Sequence, residues 1–493
     1  MIKAKYFWLL LLGVPLVMNA RAQTVYHEPY RPQVHFSPKA HWTNDPNGLV
    51  YYKGIYHLFF QYYPEATVWG PMHWGHATSK DLIHWQEKPI ALYPDSLGYI
   101  FSGSAVVDYH NTTGFGTKKN PPLVAMFTHH DPKGEKEGRN DFQNQSLAYS
   151  LDNGETWKKY SGNPVLKNPG IKDFRDPKVM WYEPQKKWVL TLATLDHITF
   201  YSSPDMKNWT KESEFGKQLG AHGGVWECPD LFPLKLEGKT HWVLIVNLNP
   251  GGPNGGSATQ YFMGQFNGKA FVPDDQQTRW MDYGPDEYAG VTWSNTGNRR
   301  IFIGWMSNWL YANQVPTERW RNAMTIPREL LLKRVNGEVL LASTPVKELE
   351  GIEGATKTIG FAASVPKQFL LDVDFKQFGS FSLQLSNSTG EKVVLGYDAK
   401  SARYYLDRSA SGVTSFNKDF LRTSYAPALV KKGGNHLQIL VDVSSLEAFV
   451  DGNVTVISGI FFPKQPYNRL RMVPVKNTVI NKMTIKPLFS IWK

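Results

Sequence analysis

The 493-residue sequence predicts an all-β protein: a five-bladed β-propeller followed by a C-terminal β-sandwich. Three observations carry that prediction. Short runs rich in Val, Ile, Tyr, Phe and Trp recur along the chain, broken by Gly, Pro, Asn and Asp, and no long helical periodicity interrupts them. An apolar strand opened by a polar or acidic residue, followed by a turn and a returning apolar strand, recurs from Asp45, Ser102, Asp176, Glu227 and Asp286. These starts are about 60 residues apart, the length that four antiparallel strands and their turns fill. After about residue 350 this repeat stops, and shorter alternating strands take over.

Residues 1–22 read as an export signal. Met1-Ile-Lys-Ala-Lys5 is basic, Tyr6 to Met18 is apolar, and Ala20-Arg21-Ala22 offers an A-x-A cleavage site. The apolar run is too short, and wrongly flanked, for a membrane span. No Cys lies near the cleavage site, which closes the lipoprotein route. The expectation is an exported protein, periplasmic in a bacterium with two membranes and secreted otherwise.

Residues 23–347 are assigned to the propeller. Its returning strands are Ile55-Tyr-His-Leu-Phe-Phe60, Leu123-Val-Ala-Met-Phe127, Trp188-Val-Leu-Thr-Leu192, His241-Trp-Val-Leu-Ile-Val246 and Ile301-Phe-Ile-Gly-Trp305. A second element, Ser-x-Asp and then a Trp, appears at Ser79/Asp81/Trp85, Ser150/Asp152/Trp157 and Ser203/Asp205/Trp209. Glu348-Leu-Glu-Gly-Ile-Glu-Gly354 reads as a linker. Residues 355–493 are assigned to the sandwich, with strands at Phe369–Phe375 and Leu437–Val443, and with Leu446–Val450 leading into the hairpin signal Asp451-Gly452.

Composition narrows the function. A single Cys, Cys228, excludes an intrachain disulfide and a multi-Cys metal cluster. The formal charge of +11 is spread out, with no Lys/Arg-rich run, so no nucleic-acid partner is expected. The 17 Trp exceed ordinary packing needs and suit platforms for flat ligands such as sugar rings.

The innermost strand of each propeller blade lines a central channel, so equivalent positions of different blades meet there. Asp45, Asp176 and Glu227 are therefore expected in one pocket. Clustered carboxylates raise each other's pKa, a cost that a glycosidase uses: one carboxylate stays ionised and another stays protonated to donate to the leaving oxygen. Asp45, between Asn44 and Pro-Asn-Gly, is expected to be held by amide donors. Glu227, among Val225, Trp226, Cys228 and Pro229, is expected in an apolar setting that raises its pKa. Asp176 follows Arg175, which is expected to keep it charged.

Trp42-Thr-Asn-Asp45-Pro-Asn-Gly48, Phe174-Arg-Asp176-Pro177 and Glu227-Cys-Pro-Asp230 resemble the three signature motifs of glycoside hydrolase family 32, the invertases, inulinases and levanases. Phe59-Phe-Gln61-Tyr, Trp69-Gly, His73-Trp-Gly-His76, Phe101-Ser-Gly-Ser104, Asn249-Pro-Gly-Gly-Pro-Asn-Gly-Gly256 and Asp442-Val-Ser-Ser-Leu-Glu-Ala-Phe-Val450 extend the likeness over nearly the whole mature chain. The resemblance implies a retaining β-fructofuranosidase acting on levan- or inulin-type fructans or sucrose, expected to be exo-acting. It implies Asp45 as nucleophile, Glu227 as general acid/base and Asp176 as transition-state stabiliser. It implies Asn44, Gln61, Trp69, Ser102, Arg175 and an indole at Trp305 or Trp309 around the fructosyl ring. Phe101, beside Ser102, and Asp286, at the start of the fifth blade, complete the expected substrate-binding set. Retention requires the two carboxyl groups to lie about 5–5.5 Å apart.

Other features are given lesser roles. His73 and His76 read as packing or sugar contacts, and neither a metal nor a cofactor is expected. Cys228 reads as a small apolar filler beside Glu227. The glycine run 251–256 lacks the Lys-Ser/Thr of a phosphate loop and reads as a turn. Tyr404 and Tyr405 could hold a sugar, although a stabilising role for the sandwich is the plainer reading. A fructosyltransferase, a fructan-binding protein on a retired enzyme scaffold and an arabinan hydrolase are the alternatives.

Overall fold

The computed structural model describes residues 25–430, 436–475 and 477–492. The expected export signal, residues 1–22, lies outside them.

Five mainly antiparallel sheets form the propeller. Their innermost strands are His41–Tyr52, Tyr99–Val107, Phe174–Tyr182, Val225–Leu236 and Tyr288–Thr292. Each is followed by a returning second strand, from Ile55–Tyr63 in the first blade to Ile301–Met306 in the fifth. The ring closes by a short parallel pairing of His41 and Trp42 with Trp320 and Arg321, supported by His41 N–H donating to Arg319 O at 2.7 Å. The first blade thus gains a strand from the chain that follows the fifth, which ties the two ends of the propeller together.

The Ser-x-Asp element has a local cause. It forms the turn between the third and fourth strands of the first three blades. In the first, Ser79 Oγ donates to Asp81 Oδ1, which also accepts from the backbone N–H of Ile83 and His84. In the third, Asp205 Oδ1 accepts from Ser203 Oγ and from the N–H of Lys207 and Asn208. A short acidic side chain satisfies turn amides that no strand partner can reach.

A shared irregularity positions the site. Every innermost strand breaks register with its neighbour near its start: between Thr43 and Pro46, Ile100 and Gly103, Glu227 and Asp230, Tyr288 and Val291, and opposite Thr191/Ala193 in the third blade. A β-bulge leaves residues out of the ladder and re-aims their side chains. Asp176, Cys228 and Ala289 take positive φ there, at 63°, 42° and 54°. The bulges explain why residues at these positions turn into the channel instead of alternating across the sheet.

The sandwich pairs two six-stranded sheets around a core of Phe369, Leu371, Val373, Leu383, Leu395, Ile439, Ala448 and their neighbours. Ser445–Val450 and Thr455–Ile460 form the hairpin expected at Asp451-Gly452, joined by a 3-10 turn. The segment read as a linker is packed: Lys347–Ile352 is a 3-10 turn whose Leu349 and Ile352 are buried in a cluster shared by both domains.

Buried charges also hold the domains together. His35 contacts Asp442 and Glu447 at 2.8 Å each, and Arg328 meets Asp282 at 3.0 Å and also Glu447. Asp286, expected in the channel, belongs to this interface. It pairs with Arg408 at 2.6 Å and accepts from the Tyr311 hydroxyl and the Ile460 N–H. It precedes the fifth innermost strand, so it lies short of the bulge that would aim it at the axis, and Arg408 of the sandwich holds its charge.

Candidate active site

A cavity of about 450 Å³ opens at the channel mouth where the innermost strands begin. Asn44, Asp45, Gln61, Trp69, Phe101, Ser102, Arg175, Asp176, Glu227 and Trp309 line it. Two expected members do not. Asp286 is at the domain interface, and Trp305 is fully buried, its indole N–H donating to Thr43 O at 3.1 Å. Trp305 packs against both Trp42 and Trp309, so Trp309 presents the indole to the cavity with Trp305 behind it.

The Trp42-Thr-Asn-Asp45 run acts as a relay. Trp42 Nε1–H donates to Asn44 Oδ1 at 2.8 Å, which turns the amide so that Nδ2–H donates to Asp45 Oδ1 at 2.9 Å. Ser102 Oγ–H from the second blade donates to Asp45 Oδ2 at 2.6 Å. Gly48 allows this turn: its φ is +54°, and a Cβ there would lie 2.6 Å from the Phe59 ring. Gln61 Nε2–H donates to Asn47 Oδ1 at 2.7 Å, fixing the neighbouring wall.

Cys228 does more than fill space. Its N–H donates to Asp176 Oδ2 at 3.0 Å, and its thiol sits 3.4 Å from Asp45 Oδ2 and 3.6 Å from Asp176 Oδ2. Burial, and then the Asp176 and Asp45 charges, push the thiol pKa well above its ordinary value. It is held as a neutral donor between the two carboxylates.

The electrostatic assignment of the other two acids differs from the expectation. Arg175 turns to Glu227, with Nε and Nη2 donating to Oε1 at 3.1 and 3.0 Å, while its nearest approach to Asp176 is 4.0 Å. The Tyr288 hydroxyl donates to Glu227 Oε2. Glu227 therefore faces a cation and a phenol, while Trp226 beside it is buried in the propeller core. Burial acts on Asp176. It is pushed up to about 7, by burial first and then by the charges of Glu227 and Asp45, against the pull of Arg175.

Some participants carried no sequence signal. Tyr288, beside the fifth bulge, reaches Glu227 from the innermost strand of the fifth blade. Asp173 and Gln143 clamp Arg175, accepting from Nη1 at 2.5 and 3.3 Å. His130 stacks on Phe101 at 4.2 Å and meets Glu135 at 3.0 Å. The repeat marked the first strand of each blade, and His130 and Gln143 come from later strands. Tyr288 could have been found by continuing the blade register two residues past Asp286.

His73 and His76 serve packing: His76 stacks on Phe59 at 4.2 Å, and His73 donates to Pro71 O. Among the described residues, no group of three or more His, Cys, Asp and Glu is disposed to hold a metal ion. A larger cavity, of about 950 Å³, borders the far ends of the inner strands. Its Lys178–Asp230 pair is joined at 2.9 Å, and it lacks the convergent acids of the smaller one.

Comparison with known proteins shows the family. Residues 35–345 match the glycosyl hydrolases family 32 N-terminal domain, and residues 342–487 match the family 32 C-terminal domain. The chain belongs to glycosyl hydrolase family 32. It is 46% identical to a levanase of Bacillus subtilis, over 100% of this chain and 75% of that protein. It is 40% identical to an extracellular exo-inulinase of Aspergillus niger, over 91% of this chain and 92% of that one. The crystal structure of exo-inulinase from Aspergillus awamori superposes with a TM-score of 0.87, at 37% identity, covering 95% of this chain and 100% of that one. The family 32 enzyme therefore carries its propeller and sandwich together, joined by the buried charges described above.

Proposed function

We propose that this family 32 hydrolase is a retaining β-fructofuranosidase that releases fructose from levan- or inulin-type fructans, and from sucrose, acting from the chain end. The observation that supports it best is the meeting of Asp45, Asp176 and Glu227, from three different blades, in one cavity of about 450 Å³. Asp45, oriented by Asn44 and Ser102, attacks the anomeric C2 of the fructosyl unit. Glu227 gives its proton to the departing sugar oxygen. A covalent fructosyl–Asp45 ester forms, and Glu227, now the base, takes a proton from water as the water attacks C2. Asp176, paired with the Cys228 N–H, offers acceptors to fructosyl hydroxyls. Trp69, Phe101 and Trp309 supply the apolar walls.

Incubation with levan, inulin and sucrose, with products resolved over time, tests this reading. Fructose as the first product of all three, with transient retention at C2 seen by NMR, is the expected outcome. Oligosaccharides as first products from a polymer would overturn the end-acting reading, and sugar-transfer products at low substrate would favour a transferase. Charge developing on the ring is met by carboxylates, so exhaustive chelation is expected to leave the rate unchanged. We also assign the export signal to residues 1–22 and place the mature enzyme in the periplasm or outside the cell. The secreted character of relatives supports export, and no helix among the described residues is long and apolar enough to cross a membrane.

A further inference from the structure

The outer face of the sandwich carries a feature that the catalytic pocket does not use. Gly396, Tyr405 and Tyr425 are cross-strand partners in one row of the sheet that holds Lys392–Asp398, Arg403–Asp407 and Ser424–Pro427. Strand alternation sends Tyr404 and Leu406 into the core and leaves Arg403, Tyr405 and Asp407 facing outward. Tyr404, one of two tyrosines that could have held a sugar, is thereby spent on packing, and its hydroxyl bonds to Asp451.

Tyr405 is placed differently. A Cβ on Gly396 would come within 2.2 Å of its ring, so the ring lies flat across the glycine with its other face outward. Tyr425 stands beside it, 49% exposed. Asp398, Ser401, Arg403, Asp407 and Thr423 surround the pair in a groove of about 340 Å³. A flat ring face bordered by acceptors and a donor is the arrangement that takes the C–H face of a sugar ring while bonding its hydroxyls. Two carboxylates against one guanidinium disfavour an anionic ligand.

The groove also lies toward the catalytic end of the molecule. Glu227 and Val225 pair with Asn247 and Asn249, so the loop 250–257 that follows them rises at the active-site end of the fourth blade. Asn254 of that loop accepts from Tyr425 N–H at 2.9 Å and donates to Tyr425 O at 3.0 Å. Ser257 accepts from the N–H of Trp309, which lines the catalytic cavity. One loop thus touches both the cavity wall and the tyrosine platform.

We propose that the Tyr405–Tyr425 groove is an accessory subsite for the fructan chain, holding fructosyl units of the polymer whose end occupies the catalytic cavity. This rests on the reading that the substrate is a polymeric fructan. It assigns the sandwich a share in substrate capture besides its structural role.

The test compares wild type, Tyr425→Ala, Tyr405→Ala/Tyr425→Ala and Gly396→Ala, the last placing a methyl group where the Tyr405 ring lies. Expected is a several-fold fall in kcat/KM on levan or inulin, carried by KM, with kcat/KM on sucrose unchanged. Tyr425→Ala removes a half-exposed ring and carries the test if uncovering Gly396 weakens the fold. Retardation in native gels containing levan or inulin is measured in parallel on the inactive Asp45→Ala protein, with and without the tyrosine changes. Loss of retardation with the tyrosines supports the subsite. Unchanged polymer kinetics with unchanged retardation overturns it, as does an equal fall on sucrose and polymer. If wild type cleaves neither polymer, the polymer-hydrolase reading fails, and the gels alone still decide whether the groove binds fructan.

Discussion

Asp45 and Glu227 have different partners, and that difference can be read kinetically. Removing a general acid hurts most when the leaving group is poor, because proton donation then carries more of the barrier. Glu227→Gln is expected to cripple fructan hydrolysis and to spare the first step on a nitrophenyl fructoside, with the fructosyl–Asp45 adduct accumulating. Azide needs no base, so it should restore turnover of the activated substrate in Glu227→Ala. Asp45→Ala should show neither behaviour while keeping its fold. Identical leaving-group dependence and azide response in the two would falsify the roles assigned here. Asp176 makes a separate prediction through stability. Its folded-state pKa of about 7 lies above the ordinary value of 3.8, so between these values the folded protein binds more protons than the unfolded chain. Stability from this group is lost as pH rises from about 4 to about 7. Thermal melts of Asp176→Asn should therefore exceed wild type at pH 8, with the gap closing toward pH 4.

The bulge and the Ser-x-Asp turn solve different problems at the scale of the element. The bulge spends ladder pairing to aim Asp45, Ser102, Asp176, Glu227 and Tyr288 at one axis. The turn spends nothing catalytic: Asp205 bonds its own loop, in the third blade, away from the cavity. Asp205→Ala should cost about 1 kcal/mol of stability, the usual worth of a side chain that caps backbone amides, and leave kcat on sucrose unchanged. Denaturant unfolding and steady-state kinetics on the same preparation check both halves. A change in kcat would mean that the outer turns set the geometry of the inner strands.

Across the whole molecule, the domains are joined by buried ions as well as apolar contact. His35, from the segment before the first blade, lies between Asp442 and Glu447 of the sandwich. Burial alone would lower its pKa, but hydrogen bonds to the two carboxylates raise it to about 9. The imidazolium thus stabilises the joined form fully below its unfolded pKa of about 6.5, and this contribution is lost as pH rises through about 9. His35→Gln should lower the melting temperature at pH 6 and narrow the difference from wild type by pH 10. A constant difference across that range would assign the effect to packing instead of charge. Asp442 and Glu447 sit in the one sandwich run that resembled the family, and their pairing with His35 and Arg328 explains why acids occupy it.

The blade repeat, the sandwich and the acid trio were legible in the sequence because local patterns carry them. Alternation marks strands, Asp and Gly mark turns, and the recurring strand–turn–strand element makes Asp45, Asp176 and Glu227 equivalent. What local pattern cannot carry is which way a side chain turns at a bulge and what it meets from another blade. Asp286 looked equivalent to the other openers, yet stands two residues before Tyr288, and Arg408, over a hundred residues away, claims its charge. Trp305 and Trp309 were indistinguishable until packing put one behind the other. Arg175 adjoins Asp176 in sequence but gives its guanidinium to Glu227, while burial raises the proton affinity of Asp176. Sequence determined the blade repeat and the meeting of Asp45, Asp176 and Glu227, since periodicity is a property of the chain. Tertiary structure alone decided how their charges pair, since that depends on distances between strands the chain never places side by side.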